Sequence, residues 1–361
     1  MRKKILIFAN CSSGLFDFRK ELIMTLIQAG HVVKIYTPFD WEIEELKSLG
    51  AEVVETVIDR RGLNPCNDLK LFKFYWEKIK TETPDLVITY TIKPNIYGGL
   101  ACRLRRIAYA TNITGLGTAF QKEGWLKTMV TFMYRIGCKA AETVFFENVE
   151  NMQSFLERKI VNEKQACLLN GAGVNLEYFS EREYPANDML HFLFIGRVMK
   201  EKGIDELFLA MKMLIKDQCP VKLDVLGEYE EDYKEKVEKY ELEGWLQFHG
   251  FQNDVRPYIE QAHCFVLPSW HEGMANTNLE CAAMARPVIT SNIHGCLEAV
   301  EDGVTGYLCE KQDVDSLYET MKKFTKLSYE ERKEMGLAGR RRMEKMFDKR
   351  NVVAKTIEAL M

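Results

Sequence analysis

Short apolar runs alternate with stretches of helical period along the first half of the chain. The runs ILIFA, HVVKIYT, DLVITY and TVFFEN have the length and the β-branched content of buried strands, and amphipathic segments such as 18–29 and 69–80 separate them. Strands separated by helices form β-α-β units, and neighbouring strands are then parallel because each pair needs a crossover. The first half therefore predicts a parallel sheet covered by helices.

The same alternation begins again in the second half. The strand-like runs are HFLFIG, VKLDVLG, LQFHG, HCFVLPS and PVITS, and only helical periods follow Asp313. Residues 175–188 contain Pro185 and no clear period, which is typical of a linker. We expect two doubly wound α/β domains, residues 1–177 and 178–345, and a last helix, 346–361, that crosses back to the first domain. Ligands of such sheets bind at the carboxyl ends of the strands, in a cleft where two domains face each other.

Composition narrows the function classes. The chain has 361 residues, 47% of them hydrophobic and 28% charged, as in an average soluble protein with two domains. The net charge of -4 disfavours nucleic acid as a partner, because a nucleic-acid-binding domain presents a basic face. Ten cysteines without a C-x-x-C pair favour reduced thiols, and the apolar start is too short for a signal peptide, so we expect a cytoplasmic protein.

The first strand is followed by NCSSGLFDFR. Small residues before a helix allow an anion to approach the helix amino terminus, so Ser12, Ser13 and Gly14 are candidates for a phosphate site. A turn capped by a serine explains the same residues equally well. The pattern is not G-x-G-x-x-G, and no acidic residue ends the second strand, which disfavours a nicotinamide dinucleotide.

Two loops of the second domain carry candidate chemistry. Arg197 and Lys202 lie in GRVMKEKG, after a strand and before a helix, where two cations could neutralise a diphosphate. They could also be solvated charges balanced by Glu201 and Asp205. In the second loop, seven residues separate Glu272 from Glu280, so the two carboxylates could bind the hydroxyls of a sugar or ribose, or simply stabilise a helix start.

Several of these segments resemble a known family. GRVMKEKG, VLPSWHEGMANTNLECAAMARPVI and EDGVTGYL closely resemble glycosyltransferase family 4, the "glycosyl transferases group 1" class, in which the Glu272-to-Glu280 spacing is the E-x7-E motif. YTIKPNIYG, ITGLGTAF and LLNGAGVNLEYF resemble the bacterial subgroup that extends capsular, O-antigen or other glycans on a polyprenyl-diphosphate carrier. The resemblance implies an α/β fold of the GT-B type, with two doubly wound Rossmann-like domains facing a central cleft.

The resemblance also implies roles for individual residues. The catalytic group would comprise Glu272, which contacts the donor sugar, with Arg197 and Lys202 on the donor diphosphate. The donor-binding residues would be Gly14, Gly196, Gly273, Met274, Ala275, Asn276, Thr277 and, on the ribose, Glu280. The acceptor-binding residues would be Lys93, Ser13 and Arg103, although Lys93 could equally serve turn geometry beside Pro94.

The reaction implied by the resemblance is a retaining transfer that needs neither a metal nor a cofactor. The donor would be a UDP-sugar, with an N-acetylhexosamine as the expected sugar, and the acceptor a polyprenyl-diphosphate-linked glycan. The D-x-D at 313–315 opens a helix, so we interpret it as capping carboxylates. Many relatives carry a histidine where this chain has TNITGLGTAF, and His271 is better explained as a loop residue than as a replacement base. The alternative is a nucleotide-sugar-binding relative without transfer, either an epimerase or a non-catalytic partner subunit.

One segment bears on membrane binding. Lys127, Arg135 and Lys139 interrupt the apolar stretch 125–141, which therefore cannot span a bilayer. Its apolar face comprises Trp125, Leu126, Met129, Val130, Phe132, Met133 and Ile136, with Lys122 as a further basic neighbour. Such a helix lies either on an anionic membrane or in a core with a charged rim. The resemblance favours peripheral contact with the inner face of the plasma membrane.

Overall fold

The computed structural model describes residues 2–59, 62, 64–117 and 124–361. The chain divides into two compact units, of which the first is Met1–Ala172 with Arg350–Met361 and the second is Gly173–Lys349. The break between Ala172 and Gly173 lies slightly before the predicted boundary at 177. The predicted fold class, two Rossmann-like domains with parallel sheets, is confirmed.

The first unit is built on a seven-stranded parallel sheet. Its strands are β1 (Lys4–Phe8), β2 (Val32–Thr37), β3 (Glu52–Glu55), β4 (Leu86–Tyr90), β5 (Tyr109–Ile113), β6 (Thr143–Phe146) and β7 (Ala166–Leu168). Their order in the sheet is β3-β2-β1-β4-β5-β6-β7. Residues 5–8 of β1 are fully buried because helices cover both faces of the sheet, which explains their uninterrupted apolar sequence.

The helices of this unit lie between the strands. They are α1 (Ser12–Gln28), α2 (Ile43–Ser48), α3 (Pro65–Glu82), α4 (Gly99–Arg105), α5 (Trp125–Cys138) and α6 (Val149–Glu157). A π-helical turn, Pro94–Gly98, directly precedes α4. Helix α1 begins at Ser12 rather than at 18, directly after the strand, and this places its amino terminus at the carboxyl edge of the sheet.

The second unit contains a six-stranded parallel sheet. Its strands are β8 (Leu190–Ile195), β9 (Val221–Leu226), β10 (Leu246–Gly250), β11 (Cys264–Leu267), β12 (Val288–Ser291) and β13 (Gly306–Cys309), and its helices are α7 (Ile204–Lys216), α8 (Lys234–Leu242), α9 (Arg256–Gln261), α10 (Asn276–Ala283), α11 (Val314–Thr325) and α12 (Tyr329–Arg342). The order is β10-β9-β8-β11-β12-β13. Strand β8 therefore lies between β9 and β11, and the loops that follow these three strands leave the sheet side by side.

The last helix, α13 (Lys349–Leu360), packs on the first unit. Val352 and Leu360 are buried in the same apolar cluster as Phe145 and Leu169. Thr143 Oγ1 donates to the carbonyl of Ala359 at 3.1 Å, and Lys355 Nζ donates to that of Leu168 at 2.8 Å. The first unit is thus completed by the end of the chain. In the described part of the chain, no helix is both long enough and apolar enough to cross a membrane.

Candidate functional site

The loops after β8 and β11 are in direct contact. The backbone N–H of Trp270 donates to the carbonyl of Glu201 at 2.9 Å. Gly203 ends the first loop with φ +71°, and a Cβ on it would lie 2.0 Å from the carbonyl oxygen of Pro268. Only glycine permits both this left-handed backbone and this approach. The contact fixes the position of the segment 197–202 beside the segment 269–275.

Lys202 and Glu272 form an ion pair at this contact. Lys202 Nζ lies 2.5 Å from Glu272 Oε1, and the two side chains are 20% and 11% exposed. Ser269, which is fully buried, donates from Oγ to the same carboxylate oxygen at 2.8 Å. Two of the predicted site residues are therefore brought together. The sequence pattern missed Ser269, although its place directly after Pro268 at the end of β11 is a usable signal.

Arg197 pairs with a different carboxylate, that of Glu230. Its guanidinium is 3.3 Å from a carboxylate oxygen of Glu230, and its side chain is 49% exposed. Glu230 follows β9, and Val198 joins this segment through a bridge with Tyr229. Gly196 is packed there too, since a Cβ on Gly227 would lie 1.9 Å from the carbonyl oxygen of Gly196. Arg197 and Lys202 thus have different carboxylate partners at the same edge of the sheet.

The loop after β12 supports Glu272 from a third direction. Gly295 has φ +91°, and a Cβ there would lie 2.6 Å from the carbonyl oxygen of Glu272. The Gly295 carbonyl accepts from the N–H of Ala275 at 2.7 Å, and its own N–H donates to Glu298 Oε2 at 2.7 Å. His294 Nδ1 is 2.8 Å from the other oxygen of Glu298. Sequence reasoning did not identify these residues.

The remaining predicted donor residues lie at the start of α10. Met274 and Ala275 are buried, whereas Gly273, Asn276 and Thr277 are half-buried. Glu280 is half-buried one turn into the helix. Within the described residues, Asn276 Oδ1 and His271 Nε2 are buried without a hydrogen-bond partner. Buried polar atoms rarely stay unpaired in the functional state of a protein, so this short stretch is a natural place for a polar ligand.

In the first unit, the predicted anion position at α1 is taken by a side chain of the chain itself. Asp40 Oδ1 accepts from the backbone N–H of Ser12 at 2.9 Å and from its hydroxyl. Burial opposes ionisation of Asp40, but the hydrogen bonds from Ser12 outweigh it and lower the pKa of the carboxyl. Ser13 Oγ is 3.0 Å from Cys11 Sγ, and a Cβ on Gly14 would meet only Cys11 within 4 Å. A carboxylate therefore neutralises this helix amino terminus.

The predicted acceptor cations also have partners within the first unit. Lys93 Nζ lies 2.7 Å from Asp68 Oδ1 and donates to the carbonyl of Gly62 at 2.8 Å. Arg103 donates to the carbonyl of Ile136 at 3.4 Å. Sequence reasoning missed a buried ion pair between Arg19 and Glu147, in which the Arg19 guanidinium lies over the ring of Tyr90 at 5.3 Å. Residues 118–120 of TNITGLGTAF, and Lys122, are outside the described residues.

Helix α5 has two different faces. Val130 and Tyr134 are buried, and Leu126 and Met133 pack against the core. The opposite side exposes large apolar side chains: Trp125 (71%), Met129 (37%) and Phe132 (58%). The predicted apolar face is therefore shared between the core and the surface of the unit.

No candidate metal site is found in the described segments, in that no three His, Cys, Asp or Glu side chains come together there in a way that could hold a metal ion. The D-x-D at 313–315 supplies the cap of α11, because Asp313 accepts from the N–H of Ser316 at 2.9 Å. This agrees with its interpretation as a capping sequence.

Comparisons with known proteins agree with the two-unit architecture. Residues 4–148 match the family model "Glycosyl transferase 4-like", and residues 179–342 match "Glycosyl transferases group 1". Among solved structures, that of Anabaena Alr3699/HepE in complex with UDP and glucose superposes with a TM-score of 0.81, covering 99% of each chain at 15% identity. At this identity, the likeness concerns the fold.

Curated relatives have related names. The N,N'-diacetylbacillosaminyl-diphospho-undecaprenol alpha-1,3-N-acetylgalactosaminyltransferase of Campylobacter jejuni is 25% identical over 96% of this chain and 95% of its own length. The UDP-Gal:alpha-D-GlcNAc-diphosphoundecaprenol alpha-1,3-galactosyltransferase of Escherichia coli is 25% identical over 73% of this chain and 72% of its own. The chain belongs to the glycosyltransferases of GT-B fold, with a first domain of the glycosyl transferase 4-like family and a second of glycosyl transferases group 1.

Proposed function

We propose that this glycosyltransferase moves a sugar, with retention of configuration and without a metal ion, from a UDP-sugar to a polyprenyl-diphosphate-linked glycan. The observation that carries the proposal is the largely buried pair of Lys202 and Glu272, held by Ser269 at the carboxyl edge of the second sheet. Such an edge is where open α/β sheets bind their ligands. A catalytic protein is a better hypothesis than a binding-only relative, because a relative without transfer would not need the full set of ionic site residues: Arg197, Lys202, Glu272 and Glu280.

Lys202 and Arg197 are the groups that would stabilise the leaving diphosphate. An ammonium has three N–H donors, so Lys202 can keep its bond to Glu272 and still donate to phosphate oxygens. Arg197 is half-exposed, and its pair with Glu230 is of the kind that contributes little in water, so a phosphate can displace Glu230. Fixed positive charge beside the departing phosphate lowers the barrier because it costs no reorganisation during the reaction.

Glu272 would position the donor sugar. Among the described residues, Lys202 and Ser269 both bond to its Oε1, so Oε2 is the oxygen that would accept from a sugar hydroxyl. The backbone from Gly273 to Thr277 would surround the sugar and the β-phosphate, and Glu280 would bind the ribose. A double displacement needs a carboxylate nucleophile on the face opposite the leaving group. We instead propose a same-face reaction, in which a donor phosphate oxygen takes the proton of the attacking hydroxyl.

The names of relatives support the substrate classes. The Escherichia coli relative carries both UDP-Gal and diphosphoundecaprenol in its name, and the Campylobacter jejuni relative is an N-acetylgalactosaminyltransferase. We therefore keep a UDP-N-acetylhexosamine as the expected donor and a polyprenyl-diphosphate-linked sugar as the acceptor. No cofactor enters this proposal. For Lys93 and Arg103, acceptor binding would require exchange of their present partners.

Contact with a membrane is the second part of the proposal. The exposed side of α5 presents Trp125, Met129 and Phe132, and Arg135 and Lys139 of the same segment are exposed beside it. Aromatic groups and cations together suit the headgroup region of an anionic bilayer. A lipid-linked acceptor makes such a contact useful, so we propose a cytoplasmic protein that binds peripherally to the inner face of the plasma membrane.

The activity is tested with a panel of UDP-sugars and short-chain prenyl-diphosphate-linked N-acetylhexosamines. We expect one UDP-sugar to stabilise the protein by about 2.7 kcal/mol at 100 times its Kd, and to be consumed only when an acceptor is present. Glu272→Gln should lower turnover by at least about 100-fold with donor binding largely kept, and Glu235→Gln, an exposed carboxylate on α8, is the matched control. Donor binding without transfer to any acceptor would favour the binding-only alternative, and full turnover in Glu272→Gln would contradict the role of that residue.

Membrane binding is tested by co-sedimentation with vesicles of phosphatidylcholine, with and without anionic phosphatidylglycerol. We expect binding to the anionic vesicles only, weakened by salt and by the double substitution Trp125→Ala and Phe132→Ala. Leu242→Ala, which removes an even more exposed apolar side chain from α8 of the second unit, should have no effect. Equal binding of the double variant and the wild type would contradict this part of the proposal.

A further inference from the structure

A loop at the carboxyl edge of the first sheet presents two aromatic side chains to solvent. The loop, residues 38–42, connects β2 to α2, and Phe39 and Trp41 are 43% and 67% exposed. Large apolar side chains are mostly removed from water when a chain folds, and neighbouring exposed aromatics at a ligand-binding edge therefore suggest a binding surface. None of the roles argued above uses these residues.

The loop is held firmly. Asp40 accepts from the backbone of Ser12 at 2.9 Å, and the N–H of Trp41 donates to Ser12 Oγ at 3.1 Å. The Oγ atom of Ser12 also lies 2.5 Å from the carbonyl oxygen of Trp41. The two aromatic rings are thus mounted on a backbone tied to the start of α1. A ring that is already positioned loses little conformational freedom when a ligand packs on it.

The next residue, Glu42, is in an unusual state. It adopts a left-handed backbone conformation with φ +58°, which is unfavourable for any residue other than glycine. Its Oε2 atom is buried and has no hydrogen-bond partner among the described residues. Burial, with the nearby charges of Asp17 and Glu45, raises the pKa of Glu42 to about 7. A carboxyl that is partly protonated near neutral pH can both donate and accept a hydrogen bond.

The charges around the loop decide what it can bind. Asp17, Asp40 and Glu45 act on Glu42 with negative charge and Lys20 with positive charge, while Lys47 is paired with Glu44 at 2.7 Å, so negative charge predominates. Such a surface repels a phosphate and an anionic bilayer, in contrast to the basic surroundings of the exposed side of α5. A neutral pyranose ring fits it, because one face of the ring offers C–H groups to an aromatic ring while its hydroxyls bond a carboxyl.

We propose that Phe39, Trp41 and Glu42 form a subsite for a neutral sugar ring of the acceptor, with Trp41 packing on its C–H face and Glu42 bonding a hydroxyl. The inference rests on the transferase function proposed above and names a recognition element of its acceptor. It predicts that the enzyme recognises the saccharide part of the acceptor through this loop, whereas the exposed side of α5 binds the bilayer.

The test compares the wild type with Trp41→Ala, Trp41→Phe, Glu42→Ala and Glu42→Gln at saturating UDP-sugar, with short-chain prenyl-diphosphate-linked N-acetylhexosamines as acceptors. We expect Trp41→Ala to raise the acceptor KM by about tenfold, and Trp41→Phe to recover most of this loss. Glu42→Ala should raise the acceptor KM by about fivefold, and Glu42→Gln should restore it because the amide keeps both kinds of hydrogen bond. The donor KM and the melting temperature should stay within error.

Leu69→Ala, which shortens a side chain 66% exposed on α3, is the control and should leave the acceptor KM unchanged. Transfer by the wild type with an unaltered acceptor KM in Trp41→Ala would contradict the saccharide subsite and leave the transferase function standing. Weaker vesicle binding by Trp41→Ala would also contradict it, because the loop would then be a membrane contact. Absence of transfer by the wild type with every acceptor would overturn the transferase function and the subsite with it.

Discussion

Lys202, Glu272 and Ser269 form a small network in which each polar group depends on the others. Removing the cation would leave Glu272, which is 11% exposed, with the hydroxyl of Ser269 as its remaining side-chain partner in the described part of the chain. A largely buried charge that loses its partner is costly, whereas removing both charges is far less so. The network therefore contributes to stability because every buried polar group in it has a partner, and not because the ion pair alone is strongly favourable.

We expect Lys202→Met to reduce the free energy of unfolding by about 1 to 3 kcal/mol, and the double variant Lys202→Met with Glu272→Gln to recover at least half of that loss. Urea denaturation of the two single variants and the double variant gives the coupling energy directly. Additive losses would show that the two side chains do not interact appreciably in solution.

His263 connects stability to pH. It is buried, and its Nδ1 accepts from the N–H of His191 at 3.1 Å. Burial, followed by repulsion from His191 and Arg332, lowers the pKa of His263 to about 4. In the unfolded chain it titrates near 6.5, so between these values the unfolded state binds more protons and stability falls as the pH falls.

We expect His263→Asn to keep the acceptor that His191 needs and to remove this titration. The melting temperature of the wild type should fall more steeply than that of the variant between pH 6.5 and pH 4, while the two curves run parallel above pH 7. Calorimetry at a series of pH values measures both slopes. Identical slopes below pH 6.5 would mean that His263 is protonated in the folded protein.

Single residues also mark the limit of what the sequence predicts. The GRVMKEKG segment and the spacing of Glu272 marked Lys202 and Glu272 as candidate site residues, and the structure pairs them because they follow strands that are neighbours in the sheet. Arg286 gave no such signal: it is fully buried in the fold, and it donates to backbone carbonyls of Glu183, Ile259 and Met284. Its partners are main-chain atoms from three segments, and backbone carbonyls carry no sequence information.

At the scale of elements, strands with strong apolar runs were predicted well, but the short edge strands β7 and β13 were not. β7 has three residues and β13 has four, and each lies at the edge of its sheet. An edge strand needs fewer apolar residues because one side lacks a neighbour, so its pattern is hard to distinguish from that of a loop. The missed β13 matters for the site, because it supports β12 and hence the loop that carries Gly295.

Two glycines of the second unit separate backbone strain from crowding at the site. Gly295 and Gly303 both have positive φ, +91° and +74°, so alanine is strained at either position. At Gly303 a Cβ would meet nothing within 4 Å, whereas at Gly295 it would lie 2.6 Å from the carbonyl oxygen of Glu272. The comparison of the two alanine variants therefore isolates the contact with the Glu272 loop.

We expect Gly303→Ala to destabilise the protein by about 1 to 2 kcal/mol. Gly295→Ala should destabilise it by more, because its Cβ would also collide with backbone atoms of Glu272. Only Gly295→Ala should also lower turnover, by about 100-fold, because displacement of a positioned group by about an ångström has effects of this size. Thermal unfolding and steady-state kinetics on the same preparations check both parts. Equal turnover in the two variants would show that the loop after β12 does not position Glu272.

At the scale of the whole molecule, the two units do not coincide with the two halves of the sequence, because the end of the chain belongs to the first unit. The predicted division into domains followed from the repeated alternation of strands and helices, a local pattern. The sequence also led us to expect a last helix that crosses back to the first domain, but which apolar surface that helix covers is a property of the assembled sheet. Thr143, Leu168 and Leu169, which α13 contacts, come from segments far from it in sequence.

Removal of α13 therefore affects one unit selectively. Without residues 350–361, Phe145 and Leu169 lose their packing against Val352 and Leu360. The loops that carry Lys202 and Glu272 belong to the second unit and keep their contacts with each other. Uncovering several buried apolar side chains costs a few kcal/mol, enough to lower a melting temperature by about 5 to 10 °C. Calorimetry of the truncated chain should show one transition shifted to a lower temperature and a second transition unshifted.

UDP-sugar should still raise the temperature of the unshifted transition, because donor binding is assigned to the second unit. Loss of that response would mean that α13 also supports the donor site.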